Sequence, residues 1–74
     1  MDLFWVTCVI ADDTGVWACN TGTPFLNLDE AIGEVVFKRN NYPTVVCAII
    51  KRQHRGVKEM EPVFAECYIG PLGI

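Results

Sequence analysis

The positions of hydrophobic and polar residues first predict a β-hairpin at the start of the chain. Residues 3–11 and 16–21 are β-branched, aromatic or small, as is typical of strands, and they flank the turn-forming residues 12–15. Gly15 can take the left-handed conformation that closes such a turn, and the Asp12 carboxylate can accept hydrogen bonds from the turn amides. We therefore predict two strands joined by a tight turn.

An amphipathic stretch follows the hairpin and predicts the one helix. Asn27 and Glu30 stand in the spacing of a capping box, which marks the beginning of a helix. Acids fall in the first turn and bases in the last, as the helix dipole favours. The pattern predicts a helix that begins at Leu28 and ends before Pro43. Its apolar stripe consists of Leu28, Ala31, Ile32, Val35 and Val36.

Two further apolar segments predict a second pair of strands. Residues 44–51 contain the continuous apolar run 45–50, as expected for a strand that is covered on both faces. Residues 63–69 form a second segment, in which apolar residues alternate with Phe64, Glu66 and Tyr68. Residues 52–62 between them predict a long basic hairpin loop. We assign residues 1–70 to one domain and residues 71–74 to a loose C-terminal tail, because the last residues show no periodicity.

The predicted order β-β-α-β-β favours a small α+β fold. The helix returns the chain across the sheet, so the third strand can lie antiparallel to the first. This gives a four-stranded antiparallel sheet with strand order 2-1-3-4 and one helix packed on one face. The two most apolar strands then lie at the centre, where burial is greatest.

One face of this sheet is predicted to lack cover. A helix of about three turns covers only one face, whereas the first and third strands carry large apolar residues in both alternating phases. We therefore predict an interface that a protein partner or a second copy in a homodimer covers. The alternative is that loops and the C-terminal tail fold over this face. The aromatic candidates for the interface are Trp5, Trp17, Phe64 and Tyr68.

Composition agrees with a folded domain. The 74 residues are 51% hydrophobic and 20% charged, with a mean hydropathy of +0.27, which excludes a disordered chain. The longest apolar run, residues 45–50, is far shorter than the roughly 20 residues that span a bilayer. A secretory signal begins with a basic segment before its apolar stretch, whereas the first apolar stretch here follows Asp2. We predict a cytoplasmic protein that does not contact a membrane.

Charge is distributed along the chain in three blocks. Residues 1–37 hold six acids and no lysine or arginine, residues 38–58 hold six bases and no acid, and three acids follow, for a net charge of −3. Unopposed cations at residues 51–58 are suited to phosphates or to an acidic groove of a protein. The alternative is a solvated loop whose charge the later acids balance. The candidate binding residues are Lys51, Arg52, His54, Arg55 and Lys58.

The four cysteines lie inside predicted strands and form no C-x-x-C pair. Zinc sites usually take their ligands in such close pairs, so we predict no metal site and expect the cysteines to pack in the core. A disulfide between Cys8 and Cys19 stays open if the hairpin register places them opposite each other. A reducing compartment disfavours that bond. The cysteines are Cys8, Cys19, Cys47 and Cys67.

No set of catalytic residues is recognisable. The chain contains no serine, which excludes hydrolases with a serine nucleophile, and its one histidine, His54, is predicted in a loop away from every cysteine. A glycine-rich phosphate loop is also missing from the sequence. We predict a protein that is not an enzyme and uses no cofactor.

The sequence therefore favours a non-enzymatic interaction protein that binds a macromolecule, most simply a protein, and blocks or regulates it. Its size and layout are compatible with compact inhibitors that phages and mobile elements encode, by analogy of scale and fold alone. The alternative is a nucleic-acid-binding module that uses the basic hairpin at residues 51–58. The affinity of such a module would fall steeply with salt.

Overall fold

The fold, seen in a computed structural model that describes residues 1–67, is the predicted α+β arrangement. The sheet is antiparallel throughout, with strand order β2-β1-β3-β4. This confirms both the element order and the strand order expected from the sequence. The predicted end of the last strand and the predicted tail at residues 71–74 lie outside the described residues. The elements are β1 (Asp2–Asp12), β2 (Gly15–Asn20), α1 (Leu28–Asn41), β3 (Val45–His54) and β4 (Met60–Cys67).

The first hairpin closes as its turn residues predict. The Asp12 carboxylate accepts hydrogen bonds from the Thr14 hydroxyl at 2.7 Å and from the Thr14 amide at 2.8 Å. These two bonds hold the pKa of Asp12 below its usual value. Gly15 has a φ of +143°, a conformation that L side chains rarely adopt, so glycine is required at this position.

Helix α1 begins at the predicted residue and buries two residues of the predicted stripe, while Leu28 and Ile32 are partly buried against the core and Val36 is not part of that cluster. The Asn27 side chain accepts a hydrogen bond from the Glu30 amide at 2.8 Å and donates one to the Glu30 carboxylate at 3.1 Å. Ala31 and Val35 are fully buried where the helix contacts β1 and β3. The buried core consists of Val6, Cys8, Ala31, Val35, Val45, Ala48 and Ile50.

The second hairpin differs from the prediction, because its strands extend into the supposed loop. β3 continues to His54 and β4 begins at Met60, so only residues 55–59 connect them. Arg52 stands directly opposite Glu61 in the register and forms an ion pair with it. The prediction of a long loop over residues 52–62 was wrong because these strand ends are polar and lack the apolar alternation that marks a strand.

The two faces of the sheet have different surroundings. On β1, Val6 and Cys8 point to the side where the helix lies, and they pair with Ile50 and Ala48 of β3. We call the other side the open face. A register shift after Val9 brings Val45 into the core beneath the helix. By alternation, the open face carries Leu3, Trp5, Thr7 and Val9 of β1, Cys47, Ile49, Lys51 and Gln53 of β3, Ala18 and Asn20 of β2, and Ala65 and Cys67 of β4.

Candidate functional site

The open face is a broad apolar surface in the part of the chain that the structure describes. Helix α1 packs on the other side of β1 and β3, and no second described element packs on this side. The apolar side chains on its two central strands are only partly buried, because neighbouring strands shield them while no helix or strand of residues 1–67 covers them from above. The predicted uncovered face is therefore present within residues 1–67. These apolar residues are Leu3, Trp5, Val9, Cys47 and Ile49.

Polar side chains on the open face are tied to one another. The Trp5 indole nitrogen donates a hydrogen bond to the Gln53 side chain at 2.9 Å, and the Thr7 hydroxyl donates one to Asn20 at 2.6 Å. These bonds satisfy the polar atom of the indole and hold its ring in one orientation. A rigid aromatic ring of this kind loses little entropy when a partner packs against it. A depression of about 290 Å³ beside it is lined by Trp5, Thr7, Asn20, Thr21, Lys51 and Met60.

The structure does not bring the four predicted aromatic residues together. Trp5 lies on the open face, whereas Trp17 pairs with Ile10 and so lies on the helix side, where 43% of it is exposed. Phe64 pairs with Ile50 and packs against the core. Tyr68 lies outside the described residues. The hairpin register separates the two tryptophans, and the sequence alone does not specify that register.

A second apolar area, which sequence reasoning missed, lies at the C-terminal end of the helix. Phe37 and Tyr42 are about half exposed and meet edge to face, with ring centroids 6.3 Å apart. The Lys38 ammonium lies 5.2 Å from the centre of the Tyr42 ring. Phe37 falls outside the helix stripe, and this displacement is the one signal in the sequence that could have indicated the area.

Acidic neighbours neutralise part of the predicted basic tip. Glu61 pairs with Arg52 and raises its pKa, and His54 lies 2.6 Å from the Asp2 carboxylate. Arg52 and His54 are thus strand residues with anionic partners rather than free cations on a loop. Among the predicted binding residues, only Lys51, Arg55 and Lys58 have no ion pair within residues 1–67, and Lys51 belongs to the open face.

Each of the four cysteines stands directly opposite another cysteine. Cys8 pairs with Cys19 across β1 and β2, and Cys47 pairs with Cys67 across β3 and β4. All four are free thiols, and the Sγ atoms of Cys47 and Cys67 lie 2.7 Å apart. The expectation that all four pack in the core was right only for Cys8. Cys19 and Cys67 are exposed on outer strands, and Cys47 is half-buried on the open face. The helix packs against the central strands and leaves the outer ones open to solvent.

The buried and the exposed cysteines should react at different rates with an alkylating reagent. Burial raises the pKa of the Cys8 thiol, so the fraction of Cys8 present as the reactive thiolate is lowered. Burial also keeps the reagent away from the sulfur. We expect Cys19 and Cys67 to be modified in the native reduced protein and Cys8 to react about tenfold or more slowly until denaturant is added. Fragment mass spectrometry of the alkylated peptides measures this. Native modification of Cys8 as fast as that of Cys19 would contradict the burial described above.

Comparisons with protein-family models, with curated protein sequences and with solved structures gave no match. None of the helices in residues 1–67 combines the length and the apolar character needed to cross a bilayer. Within the same residues, no three side chains of the metal-binding types come together as a cluster.

Proposed function

We propose that this chain is a non-enzymatic interaction protein that binds a protein partner through the open face and thereby blocks or regulates it. One observation carries the proposal: the two central strands expose apolar side chains on a face that no described element covers. Burying apolar surface contributes roughly 25 cal/mol for each Å² removed from water. A face of this kind therefore gains free energy from any protein surface of complementary shape.

The charge distribution supports a protein partner over nucleic acid. The open face carries one charged side chain, Lys51, on its central strands. Interface centres are poor in charged residues and rich in aromatic anchors, and Trp5 has the position and the fixed orientation of such an anchor. The proposed partner therefore lies over β1 and β3 rather than over the hairpin tip.

A second copy of the chain is one protein that this face can bind. A two-fold axis that lies in the interface, parallel to the two sheets, would place the same residues on both sides of the interface, as symmetric dimers require. We propose a homodimer that forms in this way when no other partner is present, in the cytoplasm. Light scattering after size exclusion, over a range of concentrations, measures the oligomeric state. A strict monomer that also fails to bind the dye ANS would count against an exposed apolar face.

The two tryptophans provide a matched test of the binding face. After the partner has been identified by pull-down from the native host, we expect Trp5→Ala to weaken its binding about 30-fold, as loss of an interface anchor does. Trp17→Ala removes the same side chain from the opposite side of the sheet and should change affinity by less than about threefold. Circular dichroism confirms that both variants are folded. The reverse ranking would place the interface on the helix side.

Nucleic acid remains the second candidate, because Arg55 and Lys58 are exposed cations with no ion pair in the described part of the chain. The double variant Arg55→Glu with Lys58→Glu distinguishes the two functions. Binding through the open face should survive this variant and change little between 50 and 200 mM salt, a range over which nucleic-acid affinity falls about 10- to 40-fold for two or three phosphate contacts. Loss of binding in the double variant, with a steep dependence on salt, would favour the nucleic-acid function.

A further inference from the structure

The Cys47 and Cys67 thiols form a second chemically distinctive feature of the open face. They are register partners on adjacent antiparallel strands, so their side chains leave the sheet on the same side. Their Sγ atoms lie 2.7 Å apart, longer than the roughly 2.05 Å of a disulfide bond, and both thiols are free. Two nucleophilic atoms thus meet at one point of the surface.

The backbone at this point already has the spacing that a disulfide needs. Directly opposite residues in an antiparallel pair have Cα atoms about 4.5 to 5.5 Å apart. A disulfide accepts Cα separations of about 4.4 to 6.8 Å. The spacing of register partners such as Cys47 and Cys67 therefore falls within the range that a disulfide accepts.

We propose that Cys47 and Cys67 are a redox-reactive dithiol that small-molecule disulfides such as oxidised glutathione convert into a cross-strand disulfide. The exposed Cys67 thiolate attacks one sulfur of oxidised glutathione, forms a mixed disulfide and releases one glutathione thiolate. The Cys47 thiolate then attacks the Cys67 sulfur and releases the second glutathione. The two protein thiols lose two protons and two electrons, and the electrons reduce one oxidised glutathione to two thiols.

The other cysteine pair differs in one respect that decides its reactivity. Cys8 also stands opposite Cys19, but Cys8 is only 5% exposed in the core beneath the helix. A buried thiol reaches neither an external disulfide nor a mixed disulfide on its neighbour with ease. In the pair of Cys47 and Cys67, contact with Cys67 raises the pKa of Cys47, which agrees with two thiols that share one site. The reaction is therefore assigned to Cys47 and Cys67.

The tryptic map of the chain provides a direct test. The reduced protein is incubated with oxidised glutathione, quenched with iodoacetamide and digested without reduction. Cys47 falls in the peptide of residues 40–51 and Cys67 in that of residues 59–74, while Cys8 and Cys19 share the peptide of residues 1–38. We expect the peptides 40–51 and 59–74 to be joined, with the loss of two hydrogens. Alkylation of both thiols, or a stable glutathione adduct on wild-type Cys67, would overturn the proposal.

Single-cysteine variants separate the two steps of the reaction. Cys47→Ser removes the resolving thiol, so a glutathione adduct should accumulate on Cys67 to a level about tenfold or more above wild type. Cys19→Ser is the matched control and should leave the joined peptides unchanged. Oxidation should also raise the Tm by about 10 °C or more, and dithiothreitol should reverse this rise. The disulfide joins residues 20 positions apart and so lowers the entropy of the unfolded chain. An adduct level in Cys47→Ser equal to that in wild type would refute the assignment of Cys47. These outcomes do not depend on whether the open face binds a partner.

Discussion

The Ile50→Ala variant is expected to lose about 2–5 kcal/mol of its free energy of unfolding. Ile50 has no exposed surface, lies on a central strand and pairs with Val6 on one side and Phe64 on the other. Truncation removes buried methyl groups and leaves a cavity that the surrounding strands cannot close. A 74-residue domain has a total stability of about 4–11 kcal/mol, so this loss is a large fraction of it.

The neighbouring residue provides the control for this prediction. Ile49→Ala removes the same atoms from the same strand, but the Ile49 side chain lies on the open face and is only partly buried. We expect Ile49→Ala to cost less than about 1.5 kcal/mol. Urea denaturation followed by tryptophan fluorescence measures both variants. Equal losses would mean that the open face is as well covered as the core.

The Ala31→Leu variant is expected to lose about 1–3 kcal/mol, because it inserts a larger side chain where the helix meets the sheet. Ala31 is fully buried, and the helix packs there on β1 and β3. Ala48 on β3 is almost as completely buried and belongs to the same core cluster, so two of the seven buried core residues are alanines. The leucine must either adopt a strained rotamer or push the helix away from the sheet.

A second substitution in the same helix should have the opposite sign. Gly33 is exposed, and a Cβ built on it would meet nothing within 4 Å. Gly33→Ala is therefore expected to raise the free energy of unfolding by about 0.5–1 kcal/mol, since glycine loses more backbone entropy than alanine when the helix forms. Thermal unfolding of the two variants measures both effects. A stabilised Ala31→Leu protein would show that the contact between helix and sheet is loose.

The helix and the strand order could be predicted because strong local signals agree with the simplest topology. The Asn27 cap, the apolar stripe and the turn at Gly15 each depend on a few neighbouring residues, and each is present as expected. The helix must also bury its stripe on the two most apolar strands, which places β1 and β3 at the centre. Local chemistry and burial together leave few other arrangements.

Register and bulges could not be predicted, and the candidate site depends on both. The pairing of Ile10 with Trp17 separates the tryptophans onto opposite faces, and a shift of one residue would have reversed this. The same pairing sets Cys8 opposite Cys19, an arrangement that the sequence left open. The polar ends of β3 and β4 were missed because the ion pair between Arg52 and Glu61, rather than apolar burial, joins them.

The pairing of β1 with β3 also constrains how the chain acquires its structure. Asp2 contacts His54, and the two residues are 52 positions apart. The centre of the sheet therefore joins β1 to β3, which the ribosome synthesises much later. Before β3 is synthesised, β1 and β2 form only a two-stranded hairpin, which is marginally stable in water. High contact order of this kind slows folding, because the entropy of closing a long loop is lost before the contacts form. On the ribosome, the core can therefore assemble only after the residues of β3 have emerged.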